Sequence, residues 1–349
     1  MKSRVTIKDI AQKTGFSVTT ISLVLNNKAS HIPRETKLII ANAVRDMGYR
    51  PNKMAVSLVK KQSNIIGFVL PDIRNQFFSY TAKVLEDECH KYERNLLICN
   101  SNNSHKQEMD HLKTLCDYMV DGIFLSMAAS STKGQVEETL SFLEENKIPY
   151  CLIDRDIFNI GKYKVSVDHV KGAYMATEHL IKLGHRRIGC ITGPLILDDA
   201  KQRLAGYKKA LRDNNIEIDE SLIFEGDYSL ELGKSGGMYL LDQDITAIFA
   251  SNDFSAMGAL TSIKERNLSV PQDISLVGYD DIAFAASLEV PLTTVTQPIN
   301  EIGAQAVKII ETLIEKKFAD HEISENQVVI LEPKLSIRSS TLSLVKSSK

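Results

Sequence analysis

A chain of 349 residues exceeds what a single hydrophobic core usually organises, so two or three domains are expected. Its composition, 43% hydrophobic and 25% charged, is ordinary for a globular protein, and no apolar run approaches the ~20 residues of a membrane span. Residues 1–61 hold twelve Lys or Arg against three Asp or Glu, a net +9, so the remainder of this −2 chain carries −11. A basic head on an acidic body predicts that only the head meets a polyanion.

The head opens with T-I-K-D-I-A-Q-K-T-G-F-S-V-T-T-I-S-L-V-L-N, from Thr6 to Asn26. Thr6 with Asp9 three residues on has the spacing of a capping box, and Ile7, Ile10 and Ala11 give the first helix one apolar face. Gly15 stands where the chain must turn sharply. Ser17 can cap a second helix whose apolar face is Ile21, Val24 and Leu25. The outward residues Ser17, Val18, Thr19, Ser22 and Leu23 are short enough to approach base edges and phosphates closely. This spacing predicts a helix-turn-helix. A third helix follows, with Pro33 in its first turn, Leu38, Ile39, Ala43 and Val44 as its apolar face and Gly48 at its end. Tyr49 to Pro51 break it, and Asn52 caps a short helical stretch to Lys60.

The body alternates strand-like and helical runs. Strands are predicted at Ile65–Leu70, Asn95–Asn100, Gly122–Ser126, Pro149–Asp154, Arg187–Gly193, Ala247–Ser251 and Ile274–Tyr279. Between them lie helical patterns at Thr81–Arg94, His105–Met119, Gly172–Leu183, Gln202–Asn214 and Ser255–Arg266. Strands separated by 10- to 15-residue helices imply parallel sheets covered on both faces, which bind ligands beyond the carboxyl ends of their strands. The rhythm occurs roughly twice, around residue 163, so the fold class is α/β: an all-α head and a two-lobe body with parallel sheets.

The strand ends carry the candidate pocket. Asp72, Asn75, Phe77 and Phe78 follow the first strand, and two adjacent phenylalanines are hard to bury on one face, which suggests a platform for sugar C–H groups. Asp154 and Arg155 follow the fourth strand as a donor–acceptor pair suited to vicinal hydroxyls. Arg203, Tyr228, Asn252, Asp253 and Asp280 come from the second half, with Gln297 in the crossover back; Asp281 reads as a cap. Five scattered cysteines, an odd number, read as reduced core residues. The histidines show no metal spacing, and His179 and His185 flank a helix end where solvent or dipole roles are expected. No nucleophile elbow, phosphate loop or metal site accompanies the carboxylates, so neither an enzyme nor a cofactor is expected. A basic head without a secretory signal also argues against an exported binding protein.

These motifs, continued by I-P-R-E-T-K at 32–37, M-G-Y-R-P-N at 47–52, A-V-S-L at 55–58 and L-G-H-R-R-I-G at 183–189, resemble the LacI/GalR family of bacterial transcription regulators over nearly the whole chain. The resemblance implies a cytoplasmic homodimeric repressor that reads a near-palindromic double-stranded operator through Thr6, Ser17, Val18, Thr19, Ser22, Leu23, Asn26 and His31. Asn52, Ala55 and Leu58 belong to the implied hinge helix, with Leu58 as a minor-groove wedge; Val56 departs from the arginine common there. It implies domains at 1–49 (DNA-binding), 50–63 (hinge), 64–340 (effector and dimerisation) and 341–349 (tail). The first lobe is expected at about 64–163 and 294–324, the second at about 164–293 and 325–340. Asp72 is taken with an effector set, Asn75, Phe77, Phe78, Asp154, Arg155, Arg203, Tyr228, Asn252, Asp280 and Gln297, that is similar to that of ribose operon repressors, with Tyr228 where phenylalanine is common, and that favours ribose. Two other controls exist within the family: a phosphorylated carrier protein acting on a carbon-catabolite regulator, and a corepressor. The tail lacks heptads, so a tetramerising helix is not expected.

Overall fold

The computed structural model describes residues 5–26, 29–49, 62–155, 158, 160–318 and 326–344. The chain divides into two compact units, Met1–Ser63 and Asn64–Lys349. The hinge candidates Asn52, Ala55 and Leu58 lie outside the described residues.

In the head, α1 (Ile7–Thr14), α2 (Val18–Leu25) and α3 (Arg34–Asp46) follow the signals in the sequence. Thr6 and Asp9 close the capping box: the Thr6 N–H donates to Asp9 Oδ2 at 2.7 Å and the Asp9 N–H to Thr6 Oγ1 at 3.4 Å. Gly15, at φ 73°, ends α1 in the left-handed region that a missing Cβ opens. Ser17 Oγ accepts the Thr20 N–H at 3.1 Å and starts α2. Ile10, Ile21 and Ile40, one from each helix, are fully buried and make the centre of the head core.

The inner face of α3 differs from expectation. Ile40, Ala43, Val44 and Met47 pack inward, whereas Leu38 and Ile39 are 55% and 44% exposed. Three apolar residues in succession offer two stripes on a helix. The i, i+3, i+4, i+7 spacing from Ile40 continues to Met47 and wins. Pro33 precedes α3 as its N-cap residue rather than lying in its first turn.

The body strands are β1 Ile65–Leu70, β2 Asn95–Asn100, β3 Gly122–Leu125, β4 Tyr150–Ile153, β5 Tyr163–Val167, β6 Ile188–Thr192, β7 Ile223–Glu225, β8 Ala247–Ala250, β9 Ser275–Asp280, β10 Thr293–Thr296, β11 Gln327–Leu331 and β12 Lys334–Ser336. One six-stranded sheet has the order β11-β5-β4-β3-β1-β2 and is parallel throughout. The other has the order β12-β10-β9-β8-β6-β7 and is parallel except for the β10–β12 pair. Helices cover both faces, which is why the central strands β1, β3, β4, β8 and β9 are buried along nearly their whole length.

The lobe borders expected from the sequence need correction. β5 and β11 pair with each other inside the first sheet, and β10 lies inside the second. The chain therefore passes between lobes three times: after β5, after β10 and between β11 and β12. Short strands whose partners are distant in sequence leave no local signal of which sheet they join. The helix expected from Thr81 starts at Gln76. The second lobe also extends past residue 340, because the Leu342 N–H donates to Ser275 Oγ at 2.9 Å and the Leu344 N–H to the Leu183 carbonyl at 2.8 Å.

His179 and His185 hold this end of the chain rather than facing solvent. His179 Nε2 pairs with Thr341 Oγ1 at 3.0 Å; His185 pairs with Thr246 Oγ1 at 2.9 Å and with the Leu342 carbonyl at 3.1 Å. All five cysteines are free; Cys89, Cys151 and Cys190 are core residues, while Cys99 and Cys116 are half-buried.

The first residue of the body is fixed by a buried ion cluster. Asn64, at φ 57°, donates its N–H to Asp121 Oδ2 at 2.9 Å. Arg94 Nη1 donates to the same oxygen at 2.6 Å, and its other nitrogens hold both oxygens of Glu311, Nη2 at 2.9 Å.

Candidate functional site

In the head, the second helix presents the expected surface. Ser17, Val18, Thr19, Asn26 and His31 are exposed, and Ser22 and Leu23 are half-buried. Thr6, also exposed, and Ser17 are both engaged as caps. Asn26 donates from Nδ2 to the Ser22 carbonyl at 2.8 Å and to its Oγ at 3.3 Å, which orients the end of α2.

In the body, the carboxyl ends of the strands meet at one floor, lined by Asn75, Phe77, Phe78, Asp154, Arg155, Asp199, Arg203, Tyr228, Asn252 and Asp280. Asn75 caps the helix Gln76–His90, its Oδ1 accepting the Phe77 N–H at 3.0 Å. Phe77 and Phe78 thus lie in the first turn of a helix rather than in a loop, and both are buried, ring centroids 5.1 Å apart at 74°. The helical turn sends successive side chains about 100° apart, so both can be covered without sharing a face. Asp154 ends β4 at φ 64°. Arg155 stacks its guanidinium 5.1 Å from the Phe78 centroid and donates from Nη1 to Asn103 Oδ1 at 2.8 Å.

The second lobe answers from above. Arg203, on the helix Asp198–Asp213, lies 4.0 Å from the Tyr279 centroid and donates from Nη1 to the Ser251 carbonyl at 2.5 Å. Asn252 caps the helix Asp253–Glu265 and donates from Nδ2 to the Tyr228 carbonyl at 3.0 Å. The Tyr228 ring lies over Gly193, where a Cβ would come within 2.1 Å of it. The Tyr228 hydroxyl donates to Asp199 Oδ2 at 2.5 Å.

Burial dominates the protonation of this floor. It pushes Asp280 up to about 7 and Tyr228 well above its ordinary value. Burial also works to raise Asp154, but His169, 3.4 Å away, and the nearby guanidiniums hold that carboxyl below its ordinary value. His169 is itself positioned by the Tyr279 hydroxyl at 3.0 Å.

Two residues of the expected set stand off the floor. Gln297 supports it, donating from Nε2 to Asp280 Oδ1 at 2.7 Å. Asp72 lies in the mouth above, paired with Arg74 at 2.8 Å. That mouth is a cavity of about 410 Å³, whereas the floor itself leaves about 10 Å³. Asp199 was not anticipated: an acid in the first turn of a helix reads as a partner of the helix dipole, and only the lobe packing reveals that it lines the cleft. Asp253 turns to the Ile282 N–H and the Thr294 hydroxyl, at 2.8 and 2.6 Å, and Asp281 to Arg338 at 2.7 Å.

A cavity of about 460 Å³ between the helix Gln76–His90 and Asp281–Ala283 shares only Phe77 with the floor, and its charged members Lys83 and Asp281 are already paired. Among the described residues no group of His, Cys, Asp and Glu is arranged to hold a metal ion, and no helix is long and apolar enough to cross a membrane.

A helix-turn-helix head joined to a two-lobe sheet body defines a DNA-binding transcriptional regulator. Residues 6–52 match the family model of bacterial regulatory proteins of the lacI family, and residues 177–341 match a periplasmic binding protein-like domain. The chain is 35% identical over 342 residues to the HTH-type transcriptional regulator DegA of Bacillus subtilis, covering 97% of this chain and 98% of that protein. It is 33% identical over 341 residues to the HTH-type transcriptional repressor PurR of Histophilus somni, covering 97% and 99%. Among solved structures it is similar to the lac repressor dimer bound to operator and the anti-inducer ONPF, at TM-score 0.85 and 27% identity over 97% of this chain and 100% of that chain. It is also similar to a LacI family regulator from Enterococcus faecium with bound ribose, at TM-score 0.70 and 28% identity over 80% and 100%. The chain belongs to the lacI family of bacterial regulatory proteins; it is a regulator and not an enzyme.

Proposed function

We propose that this chain is a homodimeric, cytoplasmic repressor released from its operator by a small sugar held between the lobes, with ribose the favoured effector. Residues 1–49 bind DNA through the α2 surface, 50–63 form the hinge, and the body from residue 64 onward takes the effector and carries dimerisation. The observation that carries the sugar reading is the set of buried polar atoms with open valences. Among the described residues, Arg155 Nε, Arg203 Nε and Asp199 Oδ1 on this floor meet no donor or acceptor. Buried polar atoms are nearly always satisfied, and a polyhydroxylated ligand seated on Phe77 and Phe78 supplies both donors and acceptors. Dimerisation is supported by apolar side chains at the surface of the body, including Tyr80 at 51%, Ile98 at 45% and Phe284 at 53% exposure. Closing the lobes on the sugar shifts the first lobes of the two subunits relative to each other and weakens DNA binding, a coupling of about 1–3 kcal/mol.

The test is thermal-shift titration of the full chain with D-ribose, followed by operator binding with and without it. Ribose at roughly a hundred times its dissociation constant stabilises the body by about 2.7 kcal/mol; the response is lost in Arg155→Ala, and ribose weakens operator binding. A chain indifferent to ribose and other monosaccharides overturns the sugar reading.

A further inference from the structure

Asp199 is the floor carboxylate with the weakest cationic contact: Asp154 has His169 at 3.4 Å, and Arg203 lies closer to Asp280, at 3.6 Å, than to Asp199, at 4.0 Å. Asp154, Asp199 and Asp280 face Arg155 and Arg203. Among the described residues, the cation that reaches Asp199 is Arg203, at 4.0 Å, and that guanidinium is divided: it also lies 3.6 Å from Asp280 and donates to the Ser251 carbonyl. Asp199 is 5% exposed; its Oδ2 takes the Tyr228 hydroxyl, and its Oδ1 lines the floor with no donor. The mouth adds charge of the same sign. Arg74 is matched by Asp72, and Asp227 and Glu231 share the mouth with Arg155.

A buried carboxylate with an open oxygen and a shared, distant cation is costly unless a positive group reaches it. A neutral sugar offers Asp199 a hydroxyl, and a sugar phosphate offers it repulsion. An ammonium on a sugar ring donates to the open oxygen and sets a full positive charge beside Asp199. The mouth cavity, about 410 Å³, has room for a hexose.

We propose that this cleft also accepts an amino sugar, and holds it more tightly than the corresponding neutral sugar because its ammonium pairs with Asp199, making Asp199 the residue that selects ligand charge. The proposal rests on the sugar reading of the cleft. Isothermal titration of the full chain with D-ribose, D-glucose, D-glucosamine and D-glucosamine 6-phosphate separates the two. Glucosamine is expected to bind roughly tenfold or more tighter than glucose, and its phosphate more weakly than glucosamine. In Asp199→Asn, which keeps an acceptor for the Tyr228 hydroxyl, the preference for glucosamine over glucose falls below about twofold. In Tyr228→Phe, which leaves Asp199 without its hydroxyl donor, the preference widens. Equal binding of glucose and glucosamine by the wild type overturns the proposal, as does a preference that survives Asp199→Asn. Ribose binding without any ammonium preference overturns it while leaving the sugar reading intact; no binding of any of these sugars overturns both.

Discussion

The backbone N–H of Asn64 donates to Asp121 Oδ2 at 2.9 Å, so the point where the chain enters the body is held by a carboxylate rather than by a strand partner alone. That carboxylate is shared with Arg94, which also grips Glu311. Removing the guanidinium leaves two buried carboxylates facing each other without compensation. Arg94→Ala is expected to destabilise the body by roughly 3–5 kcal/mol, read as a lower urea midpoint. The double variant Arg94→Ala with Glu311→Gln is expected to recover part of the loss.

The head depends on very few fully buried side chains. Ile21 is one of three at zero exposure in its core. Ile21→Ala is expected to cost about 2–4 kcal/mol, comparable with the whole stability of a unit of this size. DNA binding is then lost while the thermal transition of the body stays where it was, a contrast that calorimetry resolves.

Glu108 sets a pH dependence. It is buried, accepts the Ala128 N–H at 2.7 Å and the Thr139 hydroxyl at 3.3 Å, and burial raises its pKa from 4.5 to about 7. A raised carboxyl pKa means that the folded state keeps a proton the unfolded chain releases. The contribution is therefore fully present below pH 4.5 and is lost as the pH rises through about 7. Glu108→Gln cannot ionise, and its amide can donate to Thr139. The melting difference between variant and wild type should move in favour of glutamine from about pH 5 to about pH 8 and then level off. A constant difference across that range contradicts the assignment. Asp280, also raised, tilts wild type and variant alike and cancels in the comparison.

His185 carries the chain end against the second sheet. His185→Ala removes the bonds to Thr246 and to the Leu342 carbonyl. Amide exchange at Leu342 and Leu344 should accelerate, with no change in DNA affinity.

Much of this architecture is legible in the sequence because its signals are local. The capping box of Thr6 and Asp9, the left-handed Gly15 and the edges of β1 and β2 depend on residues within a few positions of one another. The face of α3 takes more than apolarity to read: Leu38, Ile39 and Ile40 are equally apolar, and only the stripe from Ile40 continues through Ala43 and Val44 to Met47 and packs against Ile10 and Ile21. The first turn of the helix Gln76–His90 reads as a loop because its aromatic pair has no helical periodicity. Residues of the cleft that end strands, such as Asp154 and Asp280, could be anticipated from the strand rhythm. Asp199 could not, because its role arises from the approach of Tyr228 and Arg203 in three dimensions. The assignment of β5, β10 and β11 to their sheets failed for the same reason.

The three passages between lobes bear on how such a chain can be recombined. Sheet strands of one lobe occupy residues 65–167 and 327–331, and those of the other occupy 188–296 and 334–336. A single breakpoint in the gene anywhere from codon 168 to codon 333 therefore hands at least one sheet strands from both parents. Exchanging a whole lobe between two such proteins takes three simultaneous junctions. Point substitution at the strand ends alters the cleft while leaving both sheets intact.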